Sequence, residues 1–242
     1  MKSLRHIVAI GGAGFSIRPD KLLLEQYDVL ALTRKRKPRI CFIGTASGDS
    51  PDYIARFHMA ARRLRFEPSV LRLFARDATT PRNLLLSQGA IYVGGGNTAN
   101  MLAIWRVHGV DKILREAWRR GIVLTGVSAG MLCWFEGGIT DSFRPLAPLK
   151  DGLGFLCGTA CPHYDGEVHR RPSYHRFLRK GLSGGYAADD GTAMHFIGRK
   201  LHGCISSRPR ARCYRVEGRG SRVIETVLPT RFLGETLRKT AR

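Results

Sequence analysis

The first half of the chain repeats one pattern. Short unbroken runs of apolar and β-branched residues alternate with longer stretches in which apolar positions recur every three or four residues. Runs of the first kind are buried strands, and the second period marks amphipathic helices. Strands are predicted at residues 6–10, 39–44, 69–74, 90–93 and 122–127. Helices are predicted at 22–32, after a Ser50 cap with Pro51 as first helical residue, at 99–107 and at 110–120. Residues 77–86 read as a loop and a short helix. In the helix after Pro51, Ile54, Phe57, Ala61 and Leu64 share one face, with Arg56 and Arg63 off it. Strands alternating with helices predict an α/β fold, a mostly parallel sheet covered by helices on both faces.

After Glu136 the pattern changes. Gly137, Gly138, Pro145, Pro148 and Gly152 mark a long loop, and the apolar stretch 153–160 leads into Cys161-Pro-His-Tyr-Asp165. A helix is predicted over 172–182, with Pro172 near its first turn, followed by a turn region at 185–192. Three short strands are predicted at 193–197, 211–216 and 222–227; turn glycines separate them, so this part reads as antiparallel. No repeat, low-complexity tract or linker interrupts the chain, and residues 1–242 are expected to form one domain.

Composition narrows this picture. A chain of 242 residues that is 43% hydrophobic can bury a real core. No apolar run approaches the roughly 18 residues a membrane span needs. The N-terminus enters a strand at once, without a signal-peptide pattern. The six cysteines are scattered, several inside apolar runs, and have no zinc-site spacing. A reduced, cytoplasmic protein without a metal or organic cofactor is expected. The net charge of +21 is spread over many short arginine clusters. No zinc finger, helix-turn-helix or aromatic RNA-binding pattern accompanies it. It therefore reads as a solvated basic surface, with no specific nucleic-acid partner and no membrane partner; a homodimer is compatible with the sequence. Weak, salt-sensitive binding to polyanions is expected.

The candidate chemistry centres on Gly126-Val-Ser-Ala-Gly130, where a strand turns into a helix. The pattern G-x-S-x-G fits a nucleophile elbow, in which only small neighbours allow the tight turn. It equally fits a plain strand-to-helix turn capped by Ser128. Gly11-Gly-Ala-Gly14 is not a dinucleotide fingerprint, because Ile17 stands where the third glycine belongs. The glycine-rich segment Gly94–Thr98 also follows a strand, so it can share a crevice with Ser128 at the carboxyl edge of a parallel sheet. A serine nucleophile needs a base, an acid that orients it and an oxyanion hole. His163, at a strand end, is the best base. Asp189, Asp190 and Asp141 compete for the acid, and Asp190 sits in a turn just before a strand. The N–H groups of Ala129 and of Gly95 or Gly96 can form the oxyanion hole.

Tyr92-Val-Gly-Gly-Gly-Asn-Thr98, Gly126-Val-Ser-Ala-Gly130, Pro162-His163 and Asp190-Gly191, in this order, resemble the peptidase E family. These are serine peptidases on a class I glutamine amidotransferase-like, flavodoxin-like fold, and they include aspartyl dipeptidases and cyanophycinases. The resemblance spans about residues 7–205. It implies Ser128 as nucleophile and His163 as base; for the oxyanion hole Gly96 and Ala129 are preferred. Asp190 matches the later of two acid positions assigned in the family and Asp141 falls near the other; Asp190 is preferred. Related amidotransferases carry cysteine at the elbow, so Ser128 argues against glutamine hydrolysis. The implied substrates are small peptides, dipeptides with an amino-terminal aspartate above all. That side chain needs a forked cation, for which Arg170 and Arg171 are candidates, with Gly95 and Asn97 as further substrate contacts. Two other readings stand beside this one. An α/β-hydrolase esterase would place its acid before its histidine, which fits poorly here. A non-catalytic polyanion-binding protein on the same scaffold would use the positive charge instead.

Overall fold

A computed structural model of the chain describes residues 4–12, 14–16, 22–75 and 80–234. Ile17 and residues 77–79, named above, lie outside the described residues. Five strands form the parallel centre of the main sheet: β1 (His6–Ile10), β2 (Arg39–Ile43), β3 (Glu67–Leu71), β4 (Ala90–Val93) and β5 (Val123–Val127). They lie in the order β1-β5-β4-β2-β3, all parallel. The strand expected at 69–74 starts two residues earlier, because register with β2 sets Glu67 opposite Arg39.

The helices are α1 (Leu23–Glu25), which continues as a π-helical stretch (Gln26–Ala31), α2 (Pro51–Leu64), α3 (Pro81–Leu86), α4 (Thr98–His108), α5 (Val110–Arg119), α6 (Ala129–Leu132) and α7 (Arg170–Arg179). The expected regular helix over 22–32 is thus largely π-helical. Ser50 caps α2 by accepting the Tyr53 amide, as its sequence signal required. Alternate strand residues face opposite layers, which is why the strands read as continuous apolar runs. Ile7, Cys41, Ile91 and Leu124 pack under Trp105, Leu114 and Trp118 of α4 and α5. Val8, Phe42, Tyr92 and Val123 pack on the other face under Phe57 of α2 and Phe15.

The second half departs more from expectation. Its strands are β6 (Gly137–Thr140), β7 (Ala147–Leu149), β8 (Thr159–Cys161), β9 (Gly185–Ala188), β10 (Thr192–Ile197), β11 (Lys200–Ser206), β12 (Cys213–Arg219), β13 (Arg222–Leu228) and β14 (Thr230–Phe232). Strands β10, β11 and β14 extend the main sheet beyond β1, with β10 antiparallel to β1 and to β11. The others build a second sheet in the order β13-β12-β9-β8-β6-β7. It is mixed: β8 runs parallel to β6 and β9, while β12 is antiparallel to β9 and β13, as expected of the carboxyl-terminal strands. The long loop expected after Glu136 therefore contains β6 and β7, and the turn region at 185–192 contains β9. Gly185 misled because glycine usually breaks strands. Here a Cβ would overlap the Thr159 carbonyl of β8, so close strand approach requires it. Arg170 and Arg171 open α7 instead of preceding it. The second sheet packs on α7 through Ile139, Tyr164, Tyr174, Leu178 and Val216.

Candidate active site

The elbow is strained. At the end of β5, Ser128 adopts φ 58° and ψ −106°, a positive φ that costs any residue with a Cβ. Its N–H donates to the Ile10 carbonyl of β1 (3.0 Å), and its carbonyl accepts the Met131 and Leu132 amides of α6. The backbone is thus fixed from both sides, and a Cβ on Gly126 would overlap Gly130. Ser128 stands at the N-cap of α6, yet its side chain makes no capping bond. Its hydroxyl instead lies 2.9 Å from His163 Nε2.

His163 follows β8 and Pro162 and also has a positive φ, 54°. The Tyr164 amide donates to the Ala188 carbonyl of β9, and the Glu167 amide donates to the His163 carbonyl. The other ring nitrogen, Nδ1, is 2.7 Å from Asp190 Oδ1. With the carboxylate ionised, Nδ1–H donates to Asp190, which leaves Nε2 to accept from Ser128. The hydrogen bond from His163 holds the Asp190 carboxyl below its usual range against the opposing effect of burial; the positive charges of Arg208 and Arg170 act in the same direction. Gly12 of the β1 end backs this pair: a Cβ there would overlap both Asp190 Oδ1 and the His163 ring. Gly166 faces the other carboxylate oxygen as closely.

The competing carboxylates point elsewhere. Asp189 accepts the Arg212 amide at 2.9 Å and the Tyr214 hydroxyl at 3.4 Å, and burial raises its carboxyl above the usual range. Asp141 is exposed and lies 3.4 Å from Arg170. Of the three, Asp190 alone contacts His163 among the described residues.

Ser128 opens on a cleft of about 510 Å³ lined by Gly96, Asn97, Asp141, Arg144, Glu167 and Arg170, among others. Asn97 caps α4 by accepting the Asn100 amide and donates its own side-chain N–H to the Ser142 carbonyl (3.3 Å). The Gly95 amide donates to the Tyr53 hydroxyl at 3.3 Å, so the amides left for an oxyanion are those of Gly96, at φ 136°, and Ala129. The two arginines of α7 part ways. Arg170 is buried and lines the cleft, where it donates to Glu167 (2.6 Å) and to the Ile139 carbonyl (3.1 Å). Two carboxylates, Glu167 and Asp141, match its one charge. Arg171 is half-exposed, pairs with Glu225 of β13 and covers the Tyr164 and Tyr214 rings; it does not line this cleft.

Sequence reasoning missed several residues here. Gly12 follows the first strand, and nothing local signals that it backs an imidazole. Arg144 lies on the cleft rim, its side chain exposed and without an ion pair among the described residues. Asp165 and Arg208 form an ion pair beside Asp190. Only the Asp165 position, two residues past His163, offered a clue. No group of three metal-ligating side chains occurs among the described residues. Cys133, one turn beyond Ser128, is buried, which pushes its thiol far above its ordinary pKa and removes it as a competing nucleophile.

Comparison with known proteins gives the family and the fold. The model of Peptidase family S51 matches residues 7–204. A protein of Bacillus subtilis (strain 168), named Uncharacterized peptidase YgaJ, is 50% identical over 232 residues, covering 96% of this chain and 100% of its own. Among solved structures, a peptidase from an acI-B1 Actinobacterium superposes with a TM-score of 0.70 at 16% identity, covering 94% of this chain and 98% of that one. A candidate peptidase E protein from Listeria monocytogenes EGD-e gives a TM-score of 0.61 at 18% identity, over 94% and 100% of the two chains. At such identities the two structures speak for the fold, which is class I glutamine amidotransferase-like.

Proposed function

Because the chain belongs to peptidase family S51 and is a hydrolase of peptide bonds, we propose that it is a serine peptidase of the peptidase E type, acting through an acyl-enzyme on Ser128. One observation carries this reading: the Ser128–His163–Asp190 relay, with spacings of 2.9 and 2.7 Å at a strained elbow. In the proposed reaction Ser128 Oγ attacks the scissile carbonyl carbon as its proton passes to His163 Nε2. Asp190 stays ionised and stabilises the imidazolium. The amides of Gly96 and Ala129 hold the oxyanion. His163 then protonates the departing amine, the C–N bond breaks, and water attacks the ester by the reverse sequence to free Ser128.

Dipeptides with an amino-terminal aspartate are the substrates we propose. Arg144 is the cation we propose for that side chain. Arg170 already faces two carboxylates and Arg171 lies outside the cleft, whereas Arg144 stands at the rim with its guanidinium unpaired among the described residues. A forked guanidinium suits a carboxylate. Hydrolysis of Asp-Xaa, Asn-Xaa and Ala-Xaa dipeptides tests both parts. Ser128→Ala should lower turnover about 10⁴-fold or more with the fold intact by circular dichroism; retained turnover would exclude the serine mechanism. Arg144→Gln should raise KM for Asp-Xaa about tenfold and leave Ala-Xaa unchanged; an equal effect on both would remove Arg144 from the subsite.

A further inference from the structure

The turn that carries Asp190 is gripped by an ion pair that bypasses His163. Asp165, two residues after His163, accepts the Asp190 amide N–H on Oδ1 at 2.8 Å. Arg208, just beyond β11, donates through Nη1 to the Asp190 carbonyl at 2.9 Å. Its Nη2 donates to Asp165 Oδ2, also at 2.9 Å. The three contacts close a ring: the N–H and C=O of one residue are engaged by the two partners of one ion pair. Arg208 is itself located, because its amide donates to Ser206 Oγ at 2.9 Å. The loop bearing the base and the turn bearing the acid are therefore joined twice, once through the imidazole and once through Asp165 and Arg208.

We infer that Asp165 and Arg208 are positioning residues, which fix the separation and orientation of His163 and Asp190 through the Asp190 peptide. The inference rests on the serine-peptidase reading above. Neither residue lines the Ser128 cleft, so neither has a substrate contact to lose. Both also act on the pair as charges. The charged groups around it are Arg208 from the β11 end and Arg170 from α7, whose positive charges act on Asp190, with Asp165 of the His163 loop against the Asp190 amide and Asp189 next in the same turn. Removing the Arg208 charge makes proton uptake by the pair easier, and removing the Asp165 charge makes it harder. The charge effects are opposite in sign for the two residues, whereas loss of positioning slows the reaction for either one.

The test reads Ser128 without needing the natural substrate: the rate of its labelling by a serine-reactive fluorophosphonate, followed against pH. Asp165→Asn and Arg208→Gln should each slow labelling roughly tenfold. Arg208→Gln should move the acid limb of the profile up by about half a pH unit, and Asp165→Asn should move it down by about as much. The double variant should return the limb to its wild-type position while staying slow. Arg208→Lys, which keeps the charge and loses the fork, should keep the limb and lose the rate. Unchanged rates, or limbs that shift in one direction for both single variants, overturn the inference while leaving the nucleophile in place. Absence of labelling in the wild type overturns the serine-peptidase reading first. Should Arg208→Gln fail to fold, the isosteric Asp165→Asn carries the test through its downward shift.

Discussion

Two regions of the molecule meet at Ser128 and are built differently. The region up to the elbow is a parallel sheet whose strands are each followed closely by the helix that covers them. Its contribution, Ser128, is placed by local backbone: a strained turn between β5 and α6, hydrogen-bonded to Ile10 of the adjacent strand. The region after Glu136 adds β10, β11 and β14 to that sheet and builds a second, mixed sheet of short strands gathered from distant parts of the sequence. Its contributions, His163 and Asp190, lie 27 residues apart and are held by cross-contacts: β8 to β9, Tyr164 to Ala188, Asp165 to Asp190. The proposed nucleophile is thus specified by a few consecutive small residues. A base–acid pair has to be aimed by tertiary structure, because both partners sit on loops that their own sequences do not stiffen.

Variants that attack each region separately sharpen this contrast. The largest effect is expected from Asp190→Asn, which keeps the shape but replaces an acceptor-only carboxylate by a neutral amide that can also donate, so the His163 tautomer is no longer fixed. Turnover should fall about 10⁴-fold. A loss below tenfold, with Asp141→Asn more harmful, would transfer the acid role. Next comes Gly12→Ala, made in the first region but felt in the second. The added methyl overlaps Asp190 and the His163 ring, so activity should fall about 10²-fold, since small displacements at reacting groups are expensive. Wild-type activity in a folded Gly12→Ala protein would mean that the pair tolerates displacement and that its aim is not the limiting feature.

The smallest effect concerns the seam between the regions, where β10 pairs with β1. His195 on β10 is buried, 2.9 Å from both His6 Nδ1 and the Tyr27 hydroxyl. Burial, then the neighbouring histidines, push it down to about 4 from an unfolded value near 6.5. The unfolded chain therefore takes up this proton first. Stability from neutral His195 is fully present above pH 6.5 and is lost as pH falls toward 4. At pH 5 the loss is about 2 kcal/mol. His195→Gln should flatten this part of the stability profile in urea titrations between pH 7 and 4.5; an unchanged acid slope would assign the loss to other groups.

The parallel half was readable because its signals are local: apolar runs, helical periods, the Ser50 cap, the small residues around Ser128. Where local rules failed, a neighbouring chain had overruled them. Gly137, Gly138 and Gly185 look like breakers and are strand residues, since another backbone passes where a Cβ would stand. Arg170 looked like a free cation for substrate, and its matching by Glu167 and Asp141 became visible only once α7 was packed against β6. Arg144, in a stretch that read as loop, gave no sign of its place on the cleft rim.

The sequence by itself determined the α/β pattern, the elbow and the identity of a serine at its corner, because each depends on residues within one turn or one strand. It also narrowed the proposed base to His163 and the proposed acid to three carboxylates. Which carboxylate meets the imidazole was decided by the tertiary structure, through β9 pairing that brings Asp190 to His163 while Asp189, one residue away, turns to Arg212 and Tyr214. Adjacent residues in an extended chain point to opposite sides. A composition or motif treats Asp189 and Asp190 alike, and the register of the strand before them separates the two.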